Sequence, residues 1–345
     1  KMGINIKVVT GDNEQVTEKI CSEVGLPFKK HLLGKEISLL SDSELARVVE
    51  SVQIFARCTP SQKSRIIKAL QANNKVVGFL GDGINDSPAL EAADVGISVD
   101  NGADIAKESA DIILTHKSLE ELKDGVFEGR KTFVNTTKYI KMGISSNFGN
   151  MFSLAIAAIF LPFLPMLPTQ ILLNNLLYDF AQITLPTDKV DEQDISKPRH
   201  WDMKFIKKFM FFFGPISSIY DLTTYFFLYY VLHVNAAMFQ TGWFMESLAT
   251  QTLVIFTIRT QGLPFIQSKP SKSLFVSVLL LVAIGWAIPY TYLGRLFGFE
   301  TPPLSMALML GGIVVAYLLT VEVAKHFFYS RLRRKMTSET KLAVA

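Results

Sequence analysis

The feature that most restricts this chain is an abrupt change of composition near Met142. Before it, charged and apolar residues are mixed as in a water-soluble α/β domain. After it come long apolar stretches. Six of them approach the roughly 20 residues that a bilayer demands: 143–165, 169–186, 208–232, 241–260, 274–294 and 304–328. The whole chain is 49% hydrophobic and only 19% charged, against about 25% charge in an ordinary soluble domain. That balance excludes disorder, collagen-like repeats and a simple soluble enzyme. The expected organisation is a soluble α/β unit over 1–140, a six-helix all-α membrane unit over 141–335 and a tail over 336–345.

Basic residues are unevenly placed. Lys189, Lys197, Arg199 and Lys204 stand in the connection 187–207, and Arg259, Lys269 and Lys272 in the connection 259–273. Arg331, Arg333, Arg334 and Lys335 follow the last span, whereas the other connections hold only Arg295. An excess of Lys and Arg marks the cytoplasmic side, which puts both termini there, with the lipid bilayer as a partner. The net charge of +4 is spread over the chain and points to no nucleic acid. Cys21 and Cys58, the only cysteines, read as reduced thiols. The opening Lys1-Met2-Gly3-Ile4-Asn5 starts inside an element, so a preceding part of the protein is expected.

The first part alternates strand and helix signals. Ile6–Val9, Ile54–Arg57, Lys75–Leu80, Val95–Val99 and Asp111–Leu114 read as strands. Helices are expected from Glu14 to Val24, from the Ser41/Glu44 capping box to Val52, and from Thr59-Pro60 onward. Apolar strands separated by helices predict a parallel sheet, with the site beyond the strands' carboxyl ends. Three polar clusters lie there: Thr10-Gly11-Asp12, then Thr59, Ser61 and Lys63, then Gly81-Asp82-Gly83-Ile84-Asn85-Asp86. Together they suit phosphoryl transfer, which needs a cation on the phosphoryl oxygens, close backbone N–H groups and a held Mg2+. Lys63 can supply the cation, the glycines the close backbone, and Asp82 and Asp86 hard oxygen ligands. Read alone, Thr10-Gly11-Asp12 fits a simple turn equally well. Two carboxylates beside glycines are a costly way to make one. No Gly-x-x-x-x-Gly-Lys-Ser/Thr occurs, which excludes a P-loop.

Polar residues within membrane spans are costly and therefore functional suspects. Asn147 and Asn150 are spaced i, i+3 on one face of the first span. The second carries Asn174, Asn175 and Asp179, and the Pro162–Pro168 link brings the two spans back antiparallel, so their polar faces can meet. One carboxylate and several amide oxygens suit a hard cation that keeps some water. The alternative for each Asn is a hydrogen bond between helices. Helix breaking is expected around this Asn and Asp cluster, since the second span is short and ends in Pro186. Asp221 is a weaker suspect, Glu322 and Lys325 read as a snorkelling pair, and Glu246 as an outer interfacial residue. The run Phe209–Phe213 is expected to face lipid.

Val9-Thr10-Gly11-Asp12-Asn13, Arg57-Cys58-Thr59-Pro60-Ser61-Gln62-Lys63 and Gly81-Asp82-Gly83-Ile84-Asn85-Asp86-Ser87-Pro88-Ala89-Leu90 resemble the second half of the phosphorylation domain of P-type ATPases, whose fold is like that of haloacid dehalogenases. The resemblance extends over essentially the whole chain. It implies that Asp82 binds the catalytic Mg2+ with Asp86 nearby, and that Asn85 and Asp86 order the phosphate site. It also implies that Lys63 and Gly83 meet the phosphoryl group, that Thr10, Gly11 and Asp12 line the pocket, and that ATP is the substrate of the complete pump. No Asp-Lys-Thr-Gly-Thr nucleophile motif occurs here, so the chain by itself is expected to form no acyl phosphate.

Ser145-Ser146-Asn147-Phe148-Gly149-Asn150 and Leu173-Asn174-Asn175-Leu176-Leu177-Tyr178-Asp179 resemble the bacterial magnesium-transporting branch of that family, generally described as importing Mg2+ across the inner membrane. By that resemblance Asn147, Asn150, Asn175 and Asp179, with Asn174 beside them, bind the transported ion. Calcium pumps have an acidic residue where Asn150 stands, which argues against calcium. The competing readings are a pump for Ca2+ or H+, a membrane-tethered phosphatase, which would need an Asp-x-Asp at a strand end, and a non-catalytic membrane subunit.

Overall fold

The computed structural model describes residues 2–116, 118–196 and 198–344, with the side chains of 193, 333 and 335–344 left aside. Lys197 and the side chains of Arg333 and Lys335, invoked above for orientation, therefore lie outside the described residues. The chain divides into two compact units, Lys1–Glu128 and Gly129–Ala345.

The first unit alternates strands and helices. In order they are β1 (Val8–Val9), α1 (Glu14–Glu23), β2 (His31–Leu33), α2 (Gly34–Leu39), α3 (Asp42–Val48), β3 (Ile54–Ala56) and α4 (Pro60–Ala72). Then come β4 (Gly78–Leu80), α5 (Ser87–Ala92), β5 (Val95–Val99), α6 (Asp104–Glu108) and β6 (Ile112–Leu114). All strand pairs are parallel, in two ladders ordered β1-β3-β2 and β4-β5-β6. β3 is the centre of its ladder: Ile54, Phe55 and Ala56 are all wholly buried, which explains its unbroken apolar run. Burying each large side chain contributes about 1.5–3 kcal/mol. Val9 and Val77 pack against the cores of both ladders.

The caps formed as the residues dictate. Ser41 Oγ accepts from Glu44 N at 3.4 Å while Glu44 Oε2 accepts from Ser41 N at 2.8 Å. Thr59 and Gln62 repeat the arrangement ahead of Pro60. β2 was not anticipated, because His31–Leu33 is too short for a period and its edge position is fixed only by pairing with β3.

The second unit is helical. A single helix, α7 (Leu119–Phe160), contains the composition change at Met142. α8 (Pro168–Gln182) follows, then short α9 (Glu192–Ile195), α10 (Met203–Phe226) with a π turn over Phe227–Val231, and α11 (Ala236–Ile258). α12 (Lys272–Ala287), short α13 (Tyr292–Leu296) and α14 (Leu304–Val344) complete it. Among the described residues three helices are long and apolar enough to cross a membrane: Leu119–Phe160, Lys272–Tyr290 and Leu304–Leu332. The expectation of six rested on α8, α10 and α11 as well. α8 has only 15 residues, and α10 and α11 carry many polar side chains. α11 tolerates them because it is the inner helix, with nearly all its residues from Phe239 to Ile258 buried.

Other expectations are corrected here. Phe209 and Phe213 do not face outward; they are buried and packed with Phe328, while Phe211 is exposed. Helical periodicity divides the run between core and surface. Glu322 and Lys325 do pair, at 2.9 Å. Lys325 is nevertheless buried and donates to the carbonyls of Thr257 and Gly262 at the end of α11. α8 passes unbroken through its Asn and Asp residues, and the irregular turn comes only at Leu185–Thr187. Beyond that turn, buried Asp188 receives Lys138 Nζ at 2.8 Å and Arg259 Nε at 2.7 Å, tying two connections to α7.

Candidate functional site

The polar clusters of the first unit all follow strand ends, and backbone bonds join the first to the second. Cys58 N donates to Thr10 O at 2.9 Å and Arg57 N to Asp12 O at 2.8 Å. Within the turn, Thr10 Oγ1 donates to Asp12 Oδ2 at 3.0 Å and accepts from Asp12 N at 3.1 Å. Arg57 holds a positive φ of 54°, a strained position for a side-chain-bearing residue that suggests a functional constraint. Its Nε donates to Glu14 Oε2 at 2.9 Å, and this bond, after that to Glu14's own backbone, holds the Glu14 carboxyl below its ordinary range. Nothing in the composition around Arg57 signals this strain.

Thr59 caps α4 and thereby fixes Lys63 one turn along. Lys63 Nζ donates to Asp86 Oδ1 at 2.6 Å, with both side chains largely buried. Asp86 Oδ2 accepts from Gly83 N at 3.2 Å. The second and third clusters are thus one structure, a cation beside a backbone N–H. Asp82 and Asn85 are exposed at the mouth of the β4 end, and the Asp82 carbonyl is held by Ala103 N at 2.9 Å. Burial raises the Cys58 thiol to about 11, against the opposing pull of Lys63, so it is no nucleophile at neutral pH. Among the described residues no three His, Cys, Asp or Glu gather as a metal cage. A Mg2+ held at Asp82 fits that donor set if phosphate oxygens and water complete its shell, as is usual for this ion.

Gly81 shows how tightly the loop is built. A Cβ there would stand 2.6 Å from Asp86 Cβ and 2.9 Å from its Cγ. Gly81→Ala is expected to push Asp86 off Lys63 and to destabilise the unit by about 1–3 kcal/mol. A lowered midpoint of thermal unfolding would report it, and an unchanged midpoint would contradict the packing described.

In the second unit the five candidate ion-site residues of the first two apolar stretches separate into two groups. Asn147, Asn175 and Asp179 line a pocket of about 150 Å³ with Tyr139, Gly143, Tyr178 and Gln182. Asn150 and Asn174 do not. Ser146 Oγ and Asn150 Nδ2 both donate to Gln251 Oε1, at 3.0 and 3.1 Å. Gln251 Nε2 donates to Asn174 Oδ1 at 3.0 Å, and Asn174 Nδ2 to Ser247 Oγ at 3.3 Å. These two are interhelical bonds to α11. The shared face expected for Asn147 and Asn150 fails because i, i+3 still leaves about 60° of rotation, enough to turn one toward α8 and the other toward α11.

Two carboxylates were undervalued. Asp221 is buried, accepting from Ser153 Oγ at 2.6 Å and from Trp243 Nε1 at 2.9 Å. Glu246 lies against it, wholly buried and not interfacial, and its carboxyl oxygens find no partner of hydrogen-bonding geometry. Among the described residues neither carboxylate joins an ion pair with Lys or Arg. The available signal was Glu246 and Gln251 within a helix of few exposed positions.

Residues 163–327 match the family model of the cation transporting ATPase C-terminus, and residues 1–94 and 62–128 match haloacid dehalogenase-like hydrolases. The chain is 50% identical over 333 residues to Magnesium-transporting ATPase, P-type 1 of Salmonella typhimurium, covering 95% of this chain and 37% of that protein. It is 47% identical to the protein of the same name from Escherichia coli, with the same coverage. It is 31% identical over 298 residues to a Calcium-transporting ATPase of Bacillus subtilis, covering 82% of this chain and 33% of that protein. The chain thus spans little more than a third of the length of these relatives. A haloacid dehalogenase-like unit with parallel strands, followed by a helical unit with candidate membrane helices, places this chain in the family of cation-transporting P-type ATPases.

Proposed function

We propose that this chain is the later part of an ATP-driven pump that moves Mg2+ across a bacterial inner membrane into the cytoplasm. The observation that carries this reading is the pocket lined by Asn147, Asn175 and Asp179, with one carboxylate among neutral oxygen donors. Such a set suits a hard divalent cation that keeps part of its water. The relatives named for magnesium transport support the choice of ion. In this proposal Lys63 and Gly83 contact the transferred phosphoryl group, Asp82 takes the catalytic Mg2+ with Asp86 beside it, and Asn85 orders the phosphate. Thr10, Gly11 and Asp12 line the same pocket. ATP, the acyl-phosphate nucleophile and the remaining helices belong to the rest of the pump, and both ends of this chain lie in the cytoplasm. A Ca2+ or H+ pump is the second reading, favoured by nothing in the pocket.

The test uses the complete protein in sealed vesicles with a trapped Mg2+ indicator. ATP should drive Mg2+ movement, and vesicles without ATP should show none. ATP hydrolysis with no Mg2+ flux would overturn the proposal.

A further inference from the structure

Asp221 of α10 and Glu246 of α11 form a second buried polar centre that shares no residue with the α7–α8 pocket. Asp221 is 1% exposed and Glu246 wholly buried. Asp221 is well supplied with donors: Ser153 Oγ on Oδ2 at 2.6 Å and Trp243 Nε1 on Oδ1 at 2.9 Å. Glu246 is not. Among the described residues no N–H or O–H group reaches either of its oxygens, and what it meets is the Asp221 carboxyl itself. The other titratable groups within electrostatic reach are the hydroxyls of Tyr225 on α10 and Tyr317 on α14. Intramembrane carboxylates are expensive, and each calls for a named partner.

An ionised carboxylate only accepts hydrogen bonds. Two of them in contact, away from water, repel each other and leave Glu246 with no bond at all. A cation between them removes both costs, and size selects which. The Glu246 oxygens are closed to water, so no hydrated ion touches them. A bare Mg2+ would need about six oxygens in octahedral array, more than two carboxylates already turned toward Ser153 and Trp243 provide. A proton needs no cavity and only two oxygens, and carboxylates too close to ionise together commonly share one. We infer that the Asp221–Glu246 pair is a binding site for one proton. The proton is taken from the medium, sits on Glu246 as an O–H and is donated to Asp221, whose anion Ser153 and Trp243 stabilise. The pair then carries one negative charge in place of two. The bond clamps α10 to α11, the helix whose Gln251 holds Asn150 and Asn174, and Ser153 extends the clamp to α7.

The experiment records infrared spectra of the complete protein in lipid at neutral pH, where exposed carboxyl groups are ionised and a protonated one gives a separate carbonyl band. The wild-type protein should show such a band. It should shift when glutamate carries heavy carbon at its side-chain carboxyl, stay in place when aspartate does, and vanish in Glu246→Gln. That amide supplies an N–H where the O–H stood, so Glu246→Gln should keep the wild-type midpoint of thermal unfolding. Glu246→Leu removes the donor to Asp221 and should lower it. A wild-type spectrum with no protonated carboxyl overturns the inference, as does a band that follows the aspartate label or survives Glu246→Gln. Equal losses of stability in Glu246→Gln and Glu246→Leu also overturn it, since they would mean that shape alone matters. Should neither variant fold, the two labelled wild-type spectra decide.

Discussion

Replacing Asp179 by Asn in the complete protein is expected to abolish Mg2+ transport while the protein still folds and inserts. Asp179 is the one carboxylate lining the α7–α8 pocket, and among the described residues no ion pair engages it. A unit charge 4 Å from another is worth about 4 kcal/mol at an effective dielectric near 20, and a divalent ion doubles that. Asn keeps the shape and one oxygen but loses this attraction. Asn175→Ala and Asn147→Ala remove neutral donors from the same wall and should weaken Mg2+ affinity less. Asn150→Ala acts elsewhere, on the bond to Gln251 that joins α7 to α11, and its effect should fall on stability. Vesicle flux together with size-exclusion profiles in detergent separates these outcomes. Intact transport in Asp179→Asn would refute the site.

The second large effect is expected at Asp82. Asp86 holds Lys63 with one oxygen and Gly83 N with the other, so it organises the loop. Asp82 presents its side chain at the exposed mouth, with its carbonyl anchored by Ala103. Metal neutralisation of the phosphoryl oxygens is central to this chemistry. Asp82→Asn should therefore cut the acid-stable label from ATP at least about a hundredfold, the scale seen when one electrostatic stabiliser is removed. Near-normal labelling would mean that the metal sits elsewhere. Lys63→Ala should also slow turnover strongly, since it removes the cation and leaves Asp86 with only the Gly83 N–H.

Local chemistry made much of this legible. Ser41 with Glu44 and Thr59 with Pro60 announce helix starts by hydrogen bonds that involve only near neighbours. Apolar runs ending in Thr-Gly-Asp and Gly-Asp-Gly mark strand ends because a buried strand must surface there. What stayed hidden depends on long-range partners. β2 exists only by pairing with β3. The strained Arg57 answers to the Asp12 carbonyl and Glu14, which lie 45 and 43 positions away in the chain. Asn147 and Asn150 part because a third helix, α11, supplies Gln251. Glu246 read as interfacial because it stands near the start of its apolar stretch, whereas the helix begins earlier, at Ala236, and buries it against Asp221 of α10.

The most direct test of the account holds MgATP constant outside sealed vesicles whose ATP-binding face is outward, and varies the cation trapped inside. This separates the catalytic Mg2+ at Asp82 from the transported ion at Asp179. Turnover is predicted to rise with lumenal Mg2+, to ignore lumenal Ca2+ and to lose its Mg2+ dependence in Asp179→Asn. Turnover that ignores lumenal Mg2+ and rises with lumenal Ca2+ would contradict it.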